Sequence, residues 1–218
     1  MLNPIERNFS GLLLVALLLG GCSIYQKYGH GNVVNSRMER DRQTAVVLPA
    51  NAPSISQRFN PRIGPSNTDH RGFDILVPAR TPVLAAAGGV VSRVQLSLLY
   101  GKQLMLDHGR SVAGFRLQTR YFHMTERVVQ AGEVVRRGQL LGYSGMTGLA
   151  GGFPHLHFEV HRLSDADSPV AVGFQDPQLF WVDGVGRVTC YDRTRAYPST
   201  PAVLTYPVPC LGLDWRLP

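Results

Sequence analysis

Short apolar stretches that stop at glycines constrain this chain more than any other feature. VLAAAGGVVSRV lies within residues 81–94, QLMLD covers 103–107, and LQTRYFHM covers 117–124. Further runs follow at 139–143 and 156–161. Alternating runs bounded by turn residues read as strands rather than helices. The chain carries 23 glycines and 15 prolines, and its many Val and Thr residues favour strands and turns. Heptads, internal repeats and low-complexity tracts are not found. The pattern predicts a mostly β fold, an antiparallel β-sheet or sandwich, with functional side chains gathered on one sheet face.

Three short patches supply such side chains. His70 and Asp74 stand in HRGFD, His123 in YFHM, and His155 and His157 in PHLHFEV. Imidazole nitrogens and carboxylate oxygens are zinc donors, and a hydrolytic site uses three of them and leaves a position for water. The remaining histidines titrate near neutral pH and can move protons. His155 and His157 are two apart in an apolar run, so on a strand they share a face. Tyr121 and His123 alternate in the same way. Gly72 lies between His70 and Asp74 and argues for a turn or strand entry. Spacing alone does not show that the patches converge. A lone histidine is more often structural than a ligand, and short motifs carry false positives. His30, His108 and His161 lack a paired context and are assigned no metal role.

HRGFDI, YFHM and PHLHFEV, in this order, resemble the lysostaphin-type (LytM-like) zinc endopeptidases of peptidoglycan. The resemblance covers a domain over residues 54–163. It includes QRFNPR as an entry segment and VVQAGEVVRRGQLLGYSGMTG as a glycine-punctuated strand pair. It implies an antiparallel groove of the duplicated-hybrid-motif type, walled by loops at 60–69, 96–102 and 145–153. It also implies that His70, Asp74 and His157 bind Zn2+ and that His123 and His155 are catalytic. One histidine would assist deprotonation of a water; the other, or both, would stabilise the oxyanion and protonate the leaving amine. Which does which stays open. The loop over 148–154 is one residue longer than the common family form, with Phe153 as the extra residue. Some relatives with eroded ligands regulate other wall hydrolases instead of cutting. All five residues stand in this chain, which favours the endopeptidase over that alternative.

The first residues carry an address. An apolar run of about eleven residues, Phe9 to Leu19, is too short to span a bilayer, which needs about 20. It ends in Leu19-Gly20-Gly21-Cys22. This reads as a secretory signal over residues 1–21 and resembles a bacterial lipobox, which implies lipidation of Cys22. Ser23 resembles outer-membrane sorting. Membrane attachment through Cys22 on the periplasmic face of a Gram-negative outer membrane is therefore expected. There the family usually cuts D-alanyl–diaminopimelate crosslinks. Residues 22–53 read as a linker, with a strand laid across the cleft as the competing reading.

Net charge of +7 suits an acidic partner such as peptidoglycan stem peptides. Nucleic acid is disfavoured by the export signal and by the absence of a binding motif. Cys190 and Cys210 remain as an even pair in an exported chain and are expected to form a disulfide. Residues 164–218 are expected to be a stapled β-rich extension, with VGRVTCYD and AVLTYPV as candidate strands. A wall-binding module using Trp181 and Trp215 is the sharper alternative, but the segment is marginal for a core of its own.

Overall fold

The computed structural model describes residues 45–60, 69–111, 114–163, 173–200 and 203–216. The signal, Cys22, the first part of the linker and most of the 60–69 loop lie outside these residues. The strands in chain order are β1 (Ile55–Gln57), β2 (Phe73–Ile75), β3 (Pro82–Leu84), β4 (Gly89–Ser97) and β5 (Gly101–Arg110). Then follow β6 (Arg116–Met124), β7 (Glu126–Arg127), β8 (Val134–Val135), β9 (Leu140–Tyr143), β10 (Leu156–Leu163) and β11 (Gly173–Gln175). All pairings between these strands are antiparallel, as the alternating runs predicted. One sheet runs β1-β2-β10-β6-β5-β4-β8, with β11 also on β10; the second runs β3-β9-β7.

The period of two along β10 sets the two faces of the large sheet. Leu156, Phe158 and Val160 enter the core, together with Phe73 and Ile75 of β2 and Leu117 and Tyr121 of β6. His157, Glu159 and His161 alternate with them on the opposite face, as Asp74 does on β2. Val83 and Leu141 from the small sheet join the same core, as do Phe180, Trp181, Leu204 and Tyr206. Gly72 allows β2 to approach β10. A Cβ there would lie 2.2 Å from the Phe158 carbonyl oxygen, so any larger residue would push the strands apart.

Two expectations change. The two strands of the glycine-punctuated run over 128–148 do not pair with each other. Val134–Val135 joins β4, whereas Leu140–Tyr143 joins β3 and β7, so the turn at 136–139 carries the chain between sheets. The strands expected over 185–192 and 202–208 do not form among the described residues. Isolated bridges, Val47↔Arg187 and Trp181↔Leu204, stand in their place. Pro207 and Pro209 have no N–H to give a ladder. The Cys190–Cys210 disulfide, with Cα atoms 5.9 Å apart, ties this irregular chain together. Trp181 is buried against Phe73 and Tyr206, which makes it a core residue and no platform for sugars. The Val47 N–H donates to the Gly186 carbonyl and its carbonyl accepts from Val188 N–H. This part of the linker is therefore docked on the extension.

Candidate metal centre

Strand register brings the separated patches together. On β10, His157 lies opposite Asp74 of β2 on one side and Phe122 of β6 on the other. His70 precedes β2 and is held by a two-bond bridge with Asn60. The three donor atoms then meet. His157 Nδ1 is 2.7 Å from Asp74 Oδ1, His70 Nε2 is 3.1 Å from His157 Nδ1, and His70 Nε2 is 3.1 Å from Asp74 Oδ1. All three residues are buried and form a group that can hold a metal ion. Tetrahedral zinc, with bonds of about 2.0–2.1 Å, spaces its donors by roughly 3.3 Å. Two nitrogens and one oxygen in a slightly tighter triangle fit that ion.

The outer nitrogens support the same geometry. His70 Nδ1–H donates to the Arg58 carbonyl at 2.8 Å, which orients the ring so that Nε2 faces Asp74. His157 is turned the other way: Nε2 faces Glu159 Oε1 at 3.3 Å and Nδ1 faces the centre. Metal-binding histidines are commonly oriented by such outer partners.

His123 and His155 flank this group, with ring centroids 4.9 Å apart. His155 Nε2 lies 3.6 Å from Asp74 Oδ1, and its Nδ1–H donates to the Phe153 carbonyl at 3.0 Å. Phe153, the extra loop residue, therefore anchors a site histidine directly. His123, next to last in β6, has φ at 58°, a conformation that is uncommon for a side-chain-bearing residue. Its backbone N–H donates to Tyr100 at 3.0 Å, and its Nδ1–H donates to Thr147 at 2.8 Å. Both partners sit in the segments, 96–102 and 145–153, that the resemblance expects to wall a groove. Those loops interlock at Gly101, where a Cβ would meet the Thr147 carbonyl oxygen at 2.2 Å.

Charge is organised around the donor group. Burial opposes ionisation of Asp74, but hydrogen bonds and positive charge from His157 and His70 outweigh it and hold its carboxyl well below the usual range. Burial likewise opposes a charged His157, yet its hydrogen bonds to Asp74 and Glu159 push it up to about 9. Metal-free His157 thus carries two N–H protons at neutral pH. Burial lowers His123, which favours its neutral imidazole.

The structure places all five sequence-predicted residues, His70, Asp74, His123, His155 and His157, in one cluster. Cys190 and Cys210 lie in the extension as a disulfide. Sequence reasoning missed Glu159, which is 2% exposed, and it passed over His161, which contacts Glu159 at 2.6 Å. The signal was available: both continue the two-residue spacing from His155 and His157.

Over its central part the chain is similar to known proteins. Residues 68–170 match Peptidase family M23. A Haemophilus influenzae protein described as an uncharacterized metalloprotease is 37% identical over 138 residues, covering 63% of this chain and 27% of its own length. Peptidoglycan DD-endopeptidase ShyC of Vibrio cholerae is 32% identical over 133 residues, covering 59% of this chain and 29% of its own. The chain thus spans under a third of the length of these relatives. The catalytic domain of lysostaphin from Staphylococcus simulans is 29% identical and covers 57% of this chain and 89% of its own, with a TM-score of 0.46. Residues 68–170 are a Peptidase family M23 domain of the LytM type.

Proposed function

We propose that the chain is a zinc endopeptidase that hydrolyses peptide crosslinks of peptidoglycan. The observation that carries this reading is the triangle of His70 Nε2, Asp74 Oδ1 and His157 Nδ1, flanked by two further anchored histidines. A relative named as a peptidoglycan DD-endopeptidase supports the substrate class. His70, Asp74 and His157 would hold the metal. Bound zinc supplies Lewis acidity to a scissile carbonyl and lowers the pKa of a water.

The chain's own work is positioning and proton transfer. His123 gives Nδ1–H to Thr147 and keeps Nε2 to accept a proton. His155, anchored through Nδ1 to Phe153, offers Nε2 on the other side of Asp74. Between them they take the proton of the attacking water, stabilise the developing oxyanion and return a proton to the leaving amine. The walls over 96–102 and 145–153 shape the groove that receives an extended stem peptide.

Residues 54–163 constitute the catalytic domain in this proposal, and residues 164–218 an extension docked on it. The lipobox-like Leu19-Gly20-Gly21-Cys22 supports removal of residues 1–21 and lipidation of Cys22. Residues 22–53 would then link an outer-membrane anchor to a domain facing the periplasm. Radiolabelled palmitate should enter the wild type and not C22S; labelling of both would remove the anchor from the proposal. The activity is tested by mass spectrometry of digested muropeptides with and without chelator. Crosslinked dimers should become monomers by cleavage of the D-alanyl–diaminopimelate bond, and zinc should restore chelated protein. Dimers that survive zinc-loaded protein would overturn the proposal.

A further inference from the structure

Beyond the metal ligands, the groove face of β10 carries a row of three hydrogen-bonded side chains. His157, Glu159 and His161 follow one another at the two-residue period. Glu159 Oε1 lies 3.3 Å from His157 Nε2, and Glu159 Oε2 lies 2.6 Å from His161 Nε2. All three are buried. We propose that Glu159, braced by His161, is a positioning residue that holds His157 in the Nε2–H form with Nδ1 aimed at the metal. This inference rests on the assignment of His157 as a ligand.

The two metal histidines face the centre with different nitrogens. His70 uses Nε2 and satisfies Nδ1–H with the neutral Arg58 carbonyl. His157 uses Nδ1, so its Nε2–H must find an acceptor inside the sheet face, and Glu159 Oε1 is the acceptor at hand. A carboxylate there does more than a carbonyl: it raises the basicity of the ligand it orients. It also adds a second negative charge near Asp74, so that two carboxylates oppose a divalent ion in a buried place. Such a carboxylate would swing or recruit water if only one oxygen were satisfied. His161 Nε2–H takes the other oxygen, and the His161 ring is covered by Phe174 of β11 at 4.6 Å. Gly72 leaves room for the acid; a Cβ there would lie 3.1 Å from Glu159 Cγ. Phe174 pairs with His161 across the β10–β11 ladder, so β11 supports the metal centre from a distance.

The test uses the full chain and zinc itself. Zinc affinity is measured by competition with a chromophoric chelator for the wild type, E159A, E159Q and H161A. Exchange of the His157 Nε2 proton in the zinc-loaded proteins is followed by NMR. E159A should lose affinity on the order of 10–100-fold, as outer partners of metal ligands do, and its His157 proton should exchange faster. E159Q keeps volume and a carbonyl acceptor, and should recover part of the affinity; H161A should fall between E159Q and E159A. A merely structural role would lower the melting temperature of metal-free E159A and leave zinc affinity and proton exchange as in the wild type, which would overturn the proposal. Should E159A fail to fold, E159Q carries the test: its affinity must fall below the wild type, and equality overturns the proposal. Wild-type protein that takes up no zinc would overturn the functional reading and this inference together; wild-type uptake with unaltered variants overturns this inference alone.

Discussion

The groove face and the core face of the large sheet each hold histidines, and at one ring nitrogen they are treated alike. His70, His123 and His155 give Nδ1–H to the carbonyls of Arg58, Thr147 and Phe153. His108 in the core does the same with Gly88 at 2.8 Å. The difference lies at the second nitrogen. In the core, His108 Nε2 meets the Thr119 hydroxyl at 2.8 Å, and that hydroxyl lies 3.0 Å from Tyr121 Oη, which accepts from Ala86 N–H at 3.0 Å. One proton arrangement satisfies the whole chain: Ala86 N–H to Tyr121, Tyr121 O–H to Thr119, Thr119 O–H to a neutral His108. At the groove the second nitrogens of His70 and His155 turn toward Asp74 instead, as does Nδ1 of His157. A histidine whose two nitrogens are both spent on neutral protein partners is a structural residue. One with a single anchored nitrogen and a carboxylate before the other is built for a ligand or a proton.

Removing the groove donors should break this contrast most severely. H157A, H70A and D74A should abolish zinc uptake and muropeptide cleavage, with atomic absorption and mass spectrometry as readouts. Stoichiometric zinc in H157A would show that the triangle is not the centre. H123A and H155A should keep zinc while turnover falls on the order of 10²–10⁴-fold, the range for a lost general acid or base. An unchanged rate in either would return that histidine to the structural class. H108Q should leave zinc stoichiometry intact and kcat near wild type.

The next effect is on the metal itself. Metal-free His157 is held protonated up to about pH 9 by Asp74 and Glu159 despite its burial. Zinc must displace that proton, since ligands bind in their deprotonated form. Affinity should therefore rise by about tenfold per unit from pH 7 toward 9 and flatten above. Calorimetry in buffers of different ionisation enthalpy should find about one proton released per zinc in the lower part of this range. Proton-free uptake at pH 7 would mean that His157 is already neutral.

Most of this contrast was legible before any coordinates. His155 and His157 announced a shared strand face because a strand repeats every two residues. The same period reached Glu159 and His161, but a glutamate and a histidine inside an apolar run look like ordinary alternation until their partners are seen. The sequence assigns His108 no metal role for want of a paired neighbour. Its reason, a bond to Thr119 on the next strand, is a contact between strands that spacing within one strand does not encode. Gly72 reads as a turn or strand entry; its need is set by the Phe158 carbonyl oxygen on β10, far along the chain. The extension misled because VGRVTCYD and AVLTYPV have strand composition. Prolines and a disulfide hold them as irregular chain on the core.

The smallest effect sharpens the core side of the comparison. Burial lowers His108 from 6.5 to about 4, against the helpful bond to Gly88. A neutral imidazole is therefore favoured in the folded chain, while the unfolded chain binds the extra proton below pH 6.5. The unfolded state holds more protons in that window, so stability rises with pH there and is lost as pH falls. Above pH 6.5 His108 imposes no penalty. Between pH 6.5 and 5 it should cost about 2 kcal/mol, at about 1.4 kcal/mol per unit. Other groups titrate in the same range, so the measurement is a difference. Urea midpoints of zinc-loaded wild type and H108Q are compared at pH 7 and pH 5. Glutamine retains a donor for Gly88 and an acceptor for Thr119 but cannot take up the proton, so the stability gap between the two proteins should narrow or reverse in acid. A gap that stays constant would mean that His108 titrates as it does in the unfolded chain, and that the core chain from Ala86 to Gly88 does not require a neutral ring.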